Sequence, residues 1–129
     1  MASPDNLYYT KEHEWVSVDG EVATIGITDH AQSELGEIVY VEVETVGEAL
    51  AKDEVFGTVE AVKTTSDLYL PVSGEIIEFN PELDESEGDN PELINNDPYG
   101  KGWIIKVQMS DPTEVESLMS SVEYESLIS

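Results

Sequence analysis

Lys63 is the only basic side chain between Lys52 and Lys101. It opens a run of small and polar residues, Lys63-Thr64-Thr65-Ser66-Asp67, set between apolar stretches at 55–62 and 68–72. That composition predicts a turn between two strands. A primary amine projecting from a stiff turn is what a modifying enzyme needs in order to acylate lysine, and Ala61, Thr64, Thr65 and Ser66 are small enough to leave the approach open. By position and charge alone, Lys63 reads as an ordinary solvated surface lysine. The chain has no cysteine, so it offers no disulfide, no thiol nucleophile and no thiolate metal site; any sulfur redox chemistry has to be imported. His13 and His30 do not stand at the i, i+4 spacing of a helical metal pair and read as structural or capping residues. No Gly-rich phosphate loop and no nucleophile-elbow serine occurs, so neither catalysis by the chain nor a metal site is expected.

The elements that must hold this turn read as short strands. Glu14 to Val18 and Glu21 to Ile27 form a hairpin around Asp19-Gly20, with Ala23, Ile25 and Ile27 sharing one face. Asp29 followed by Gln32 resembles a capping box for a helix of one or two turns, and Gly36 can end it. From 38 to 43, Val39, Val41 and Val43 alternate with Ile38, Tyr40 and Glu42, the pattern of a half-buried strand. The run from 46 to 52 reads as a turn-rich connection. Further strands are expected at 55–62, Glu75 to Phe79 and Trp103 to Val107. Short strands with turns about every 8–12 residues predict a mainly β sandwich or flattened barrel. Between Asn80 and Pro98 the composition turns acidic and polar, which predicts a mobile loop anchored by Leu93-Ile94. Asp111 as N-cap, Pro112 as first helical residue, and Val115, Leu118, Met119 and Val122 at helical spacing predict one C-terminal helix packed on the sheet.

At 129 residues the chain fits a single domain, 1–129, with a core of about residues 7–109 and a helical segment of about 111–128. No apolar run approaches the ~18 residues of a membrane-spanning helix. The 29 acidic residues face five lysines and no arginine, for a formal net charge of -24. Such a surface repels phosphate backbones and anionic lipid, so neither nucleic acid nor membrane is an expected partner. Acidic residues are spread over the whole chain instead of forming one block, which favours adaptation to a salt-rich cytoplasm over a single patch for docking basic enzymes. Loss of structure in low salt is the corresponding expectation. Residues 1–10 carry neither a secretion signal nor an arginine-rich transit pattern, which reads as a cytoplasmic protein; a monomer is expected.

The segment Val59-Glu60-Ala61-Val62-Lys63-Thr64-Thr65-Ser66-Asp67-Leu68-Tyr69, followed by Pro71-Val72-Ser73-Gly74-Glu75, resembles the lipoyl attachment segment of the glycine cleavage system H proteins. The resemblance extends over nearly the whole chain. It includes Lys11-Glu12-His13-Glu14-Trp15, Ile25-Gly26-Ile27-Thr28-Asp29-His30-Ala31-Gln32, Leu35-Gly36-Glu37-Ile38-Val39-Tyr40-Val41, and Asn95 through Asp97-Pro98-Tyr99-Gly100 to Gly102-Trp103. Three departures stand out: Ala61 where the family more usually has Ser, Thr64 where it has Ala, and a longer acidic stretch at 82–89.

The resemblance implies a lipoyl/biotinyl-type flattened barrel-sandwich of antiparallel strands. It implies lipoate in amide linkage on Lys63, supported in the attachment turn by Glu60, Ala61, Val62, Thr64, Ser66 and Asp67. The lipoyl arm would accept an aminomethyl group from a pyridoxal-phosphate glycine decarboxylase and present it to a tetrahydrofolate-dependent aminomethyltransferase. Dihydrolipoyl dehydrogenase would then reoxidise it, and separate enzymes would attach the lipoate. The chain itself would catalyse no step. By similarity to the family, Glu14 is the candidate residue of a cleft that shelters the loaded arm, where its carboxylate would pair with the amine; the plain alternative is a surface strand glutamate. A lipoyl domain of a 2-oxoacid dehydrogenase would lack these flanking matches, and a biotin carrier would show Met beside its lysine, where Val62 and Thr64 stand. A lipoyl relay scaffold that hands lipoate to other complexes, and a plain acidic interaction protein, remain as alternatives.

Overall fold

The computed structural model describes residue 4 and residues 6–128. In chain order its elements are β1 (Tyr8–Tyr9), β2 (Glu14–Asp19), β3 (Val22–Ile27), α1 (Asp29–Leu35), β4 (Ile38–Glu42), β5 (Ala49–Leu50), β6 (Val55–Ala61), β7 (Thr65–Tyr69), β8 (Gly74–Phe79), α2 (Leu93–Asn96), β9 (Ile105–Met109) and α3 (Ser121–Ile128). A six-stranded sheet runs β1-β2-β3-β9-β8-β5 and a three-stranded sheet runs β4-β6-β7. Every pairing among these strands is antiparallel. The alternation read in the sequence puts Ala23, Ile25, Ile76, Ile105 and Val107 on the inner side of the first sheet. They meet Ile38, Val41, Phe56, Val59, Ala61 and Leu68 of the second in one apolar core. The expected antiparallel barrel-sandwich is the fold observed.

Several local expectations shift. The first hairpin pairs Asp19 with Val22, so its two-residue turn is Gly20-Glu21, with Gly20 in the left-handed region at φ 64. The N-cap of α1 is Thr28, whose hydroxyl accepts from Ala31 N–H, while Asp29 receives a bond from the Gln32 amide. Gly36 ends the helix as expected, at φ 84. In β4 a register shift between Ile38 and Tyr40 turns Val39 outward, so the alternation expected at 38–43 breaks there. The connection at 46–52 contains β5, and the last strand lies at 105–109, two residues later than expected.

The acidic region is tied down more firmly than a loop held at Leu93-Ile94 alone. Asn80 is buried and donates to the carbonyls of Lys101 and Trp103, Leu83 is buried in the core, and turns link the residues between. The expected single C-terminal helix is two pieces. Asp111 caps Pro112–Ser117, which is a 3-10 helix. Leu118 is then extended, Met119 exchanges two backbone hydrogen bonds with Tyr9, and the chain restarts as α3. That interruption resets the helical phase, so Val122 is 73% exposed and Tyr124 is the buried residue, stacked on Tyr9 at 4.9 Å.

Candidate functional site

The β6–β7 hairpin turns at Val62-Lys63. Glu60 pairs with Thr65, and Ala61 N–H donates to the Thr64 carbonyl at 2.7 Å. Val62 N–H donates outside the hairpin, to the Glu37 carbonyl at 3.0 Å, which ties the tip to the chain entering β4. Ala61 is buried beneath the turn, while Glu60, Val62, Lys63 and Thr64 are exposed. Among the described residues, nothing hydrogen-bonds or ion-pairs with the Lys63 amine. The backbone under the lysine is therefore fixed while its amine stays available.

From the tip, β7 runs along the edge of a cleft of about 140 Å³, walled by Glu14, His13, Ile27, Leu35, Ser66 and Asp67 among others. Ser66, half-buried, is three residues from Lys63, or ~10 Å of extended strand. The strand that leaves the Lys63 turn therefore forms one wall of the cleft. Asp67 is exposed, and the Ser66 hydroxyl donates to its carbonyl at 3.3 Å.

Glu14 is not a surface glutamate. It begins β2 at 2% exposure. One carboxyl oxygen accepts from Tyr69 N–H at 2.8 Å and the other from the Thr10 hydroxyl at 3.4 Å. Among the described residues no cation pairs with it. Burial pushes its carboxyl up to about 8, opposed in part by the hydrogen bonds from Tyr69 N–H and the Thr10 hydroxyl. Glu14 also lines a wider cleft of about 350 Å³ with Lys52, Asp53 and Met119, and the two partners of its carboxyl, Thr10 and Tyr69, belong to that wall.

His13 sits beside Glu14 in the left-handed region, φ 66. Its Nδ1 lies 2.8 Å from the Tyr124 hydroxyl, and its ring 4.9 Å from that of His30. His30 Nε2 is 3.5 Å from Glu34. Sequence reasoning gave Tyr124 no role because the stripe of Val115, Leu118, Met119 and Val122 drew the helix in the wrong phase. The competing spacing of Ser121, Tyr124 and Ile128 was the available signal, and those residues are the buried or half-buried ones.

Comparison with known proteins gives one consistent result. The glycine cleavage H-protein family matches residues 7–129. A protein of Bacteroides thetaiotaomicron, named glycine cleavage system H protein, is 52% identical over 128 residues, 99% of this chain and 98% of that protein. One of the same name from Halalkalibacterium halodurans is 56% identical over 126 residues, 98% of this chain and 95% of its own. The crystal structure of a glycine cleavage system H protein from Mycobacterium marinum superposes with a TM-score of 0.85 at 36% identity, covering 98% of both chains.

Proposed function

The chain belongs to the glycine cleavage H-protein family, the lipoyl carriers of glycine cleavage, and on that premise we propose that Lys63 is the attachment point and the Glu14 cleft the shelter of the loaded arm. The residues suit the group. Among the described residues the amine has no partner, it stands at a tip whose backbone is tied on both sides, and Ala61, Thr64 and Ser66 are small. Joined by an amide to the Lys63 Nζ, lipoate would supply the paired sulfurs that take up an aminomethyl group and two electrons, chemistry a cysteine-free chain lacks.

The chain's own residues do the rest. Glu60 and Val62 present the turn to a docking enzyme, and Ser66 and Asp67 line the way back along β7. Glu14 holds a proton on its own carboxyl while the cleft contains no amine. When a neutral primary amine enters, the Glu14 proton passes to its nitrogen and the carboxylate accepts a charge-assisted hydrogen bond from the ammonium, while the apolar walls at Ile27 and Leu35 limit water around the pair. The partners in this reading are glycine decarboxylase, the tetrahydrofolate-dependent aminomethyltransferase, dihydrolipoyl dehydrogenase and a lipoyl-attaching enzyme. Each does its own chemistry while the carrier supplies a tethered reactant at an effective concentration on the order of millimolar.

One observation carries the reading: an amine without a partner among the described residues, at a hairpin tip whose following strand lines a cleft walled in part by the buried Glu14. Intact mass after expression in a lipoylating host tests it. A gain of one lipoyl group in the wild type, absent in Lys63→Arg, is expected; an unmodified wild type, or a modified Lys63→Arg, overturns it.

A further inference from the structure

Beside the cleft runs a chain of hydrogen bonds joining α1, α3 and the turn before β2. The fully buried Thr28 hydroxyl accepts from Ala31 N–H at 3.2 Å and lies 2.7 Å from the Tyr124 hydroxyl, which lies 2.8 Å from His13 Nδ1. Either hydroxyl of this pair could donate, and among the described residues Tyr124 is the acceptor within reach of the Thr28 hydrogen, which satisfies the buried Thr28 only if Thr28 donates. Spending it there leaves the Tyr124 hydrogen for His13, whose Nδ1 must then carry a lone pair. This assigns His13 the neutral ring with its hydrogen on Nε2. The chain also closes on the backbone, because Thr28 N–H donates to the His13 carbonyl at 3.0 Å. A residue in the left-handed region is therefore fastened at its ring by α3 and at its carbonyl by the cap of α1, and the next residue is Glu14.

We propose that His13 is a positioning residue: Tyr124 pins its neutral ring, the pinned backbone fixes Glu14 at the wall of the cleft, and α3 thereby governs how long an amine is retained there. This rests on the reading of the cleft given above.

The groups facing His13 are His30 and Glu34 from α1, Glu12 from its own turn, Glu14 at the start of β2, Asp67 across the cleft on β7, and Tyr124 from α3, with Glu125 beyond it. Burial, then His30, holds His13 below its ordinary value against the opposite pull of Glu12 and Glu34. A second proton on the ring makes Nδ1 a donor, turns the Tyr124 hydroxyl toward Thr28 and leaves the buried Thr28 hydrogen with no acceptor. The clamp therefore opens in acid.

Tyr124→Phe removes the hydroxyl and keeps the ring on Tyr9. His13→Asn removes the imidazole with a residue that tolerates positive φ. The measurements are made on the lipoylated full chain: histidine tautomer and titration by NMR, thermal melting, and loss of the aminomethyl cargo between about pH 5.5 and pH 8. The expected wild-type His13 is the neutral Nε2–H form at neutral pH. Tyr124→Phe should raise its titration midpoint and speed cargo loss several-fold at about pH 7.5, with melting changed by only a few degrees. That gap should close as pH falls through the His13 titration, because the wild type then loses the same bond. Equal loss rates at the higher pH, or a gap that pH does not alter, overturn the proposal. Should Tyr124→Phe fail to fold, His13→Asn decides it: faster loss than wild type at the higher pH supports the clamp, and equal loss overturns it. Glu14→Ala, measured alongside, separates the two readings. If it loses cargo no faster than wild type, the cleft reading falls and the clamp with it; if it is fast and Tyr124→Phe is not, the clamp alone falls.

Discussion

At the residue scale, Glu14 and His13 are neighbours whose burial pulls stability in opposite directions with pH. Glu14 titrates at about 8 in the folded chain against an ordinary 4.5, so between those values the folded state binds the extra proton. Its contribution is full below about pH 4.5 and is lost as pH rises through about 8. His13 is lowered from 6.5, so its contribution is present above that value and is lost as pH falls. Glu14→Gln keeps an acceptor for Tyr69 N–H and cannot ionise. It should match the wild type near pH 5 and exceed it at pH 9 by an amount on the order of 3 kcal/mol. Urea unfolding at the two pH values checks this, and an equal difference at both would refute it. The turn at Lys63 was legible because a polar stretch between apolar runs is local information. The burial of Glu14, which resemblance alone had singled out, was not, since Glu14, Trp15 and Val16 are consecutive and all buried. Both faces of that end of β2 are covered, and no alternation survives to say which residue points where.

At the element scale, what the sequence conceals is where tertiary contacts overrule local pattern. Thr28 takes the cap from Asp29 because its hydroxyl also meets Tyr124, a contact 96 residues away in the chain. The shift in β4 that exposes Val39 is paired against β6, and the break before α3 is made by β1, so neither could be read from its own window. Composition likewise misdescribed the acidic region. Its residues 84–89 are polar, but Leu83 is 1% exposed and packs in the main core. Leu83→Ala should cost about 2–5 kcal/mol in chemical unfolding, whereas Glu85→Ala on the exposed side of the same turns should change stability by no more than ~0.5 kcal/mol. Equal effects would mean that the segment is not tied to the core through Leu83.

At the scale of the whole molecule, the governing quantity is the net charge of -24, which five lysines do little to offset. Lys106 is shared between Glu78 at 4.0 Å and the face of Trp103 at 5.0 Å, and Lys52 bonds the Ser117 hydroxyl instead of a carboxylate. With 29 acidic residues against five lysines, dissolved salt is the main means of reducing repulsion among the exposed carboxylates. The screening length falls from ~10 Å at 0.1 M to ~3 Å at 1 M, so repulsion between neighbouring surface carboxylates drops steeply over that range. Unfolding spreads these charges apart, which makes the folded state the one that salt favours. Melting temperature should rise by several degrees or more from dilute buffer to molar KCl. The rise should be smaller in a variant in which scattered exposed acids such as Glu44, Glu85 and Glu116 are replaced by Lys. A surface evolved mainly to dock basic enzymes predicts something different, namely association with those partners that weakens as salt is added while the fold is indifferent. The two are separable on the isolated chain: a melting temperature flat across the salt range rules out the salt-adapted surface and leaves docking as the reason for the charge.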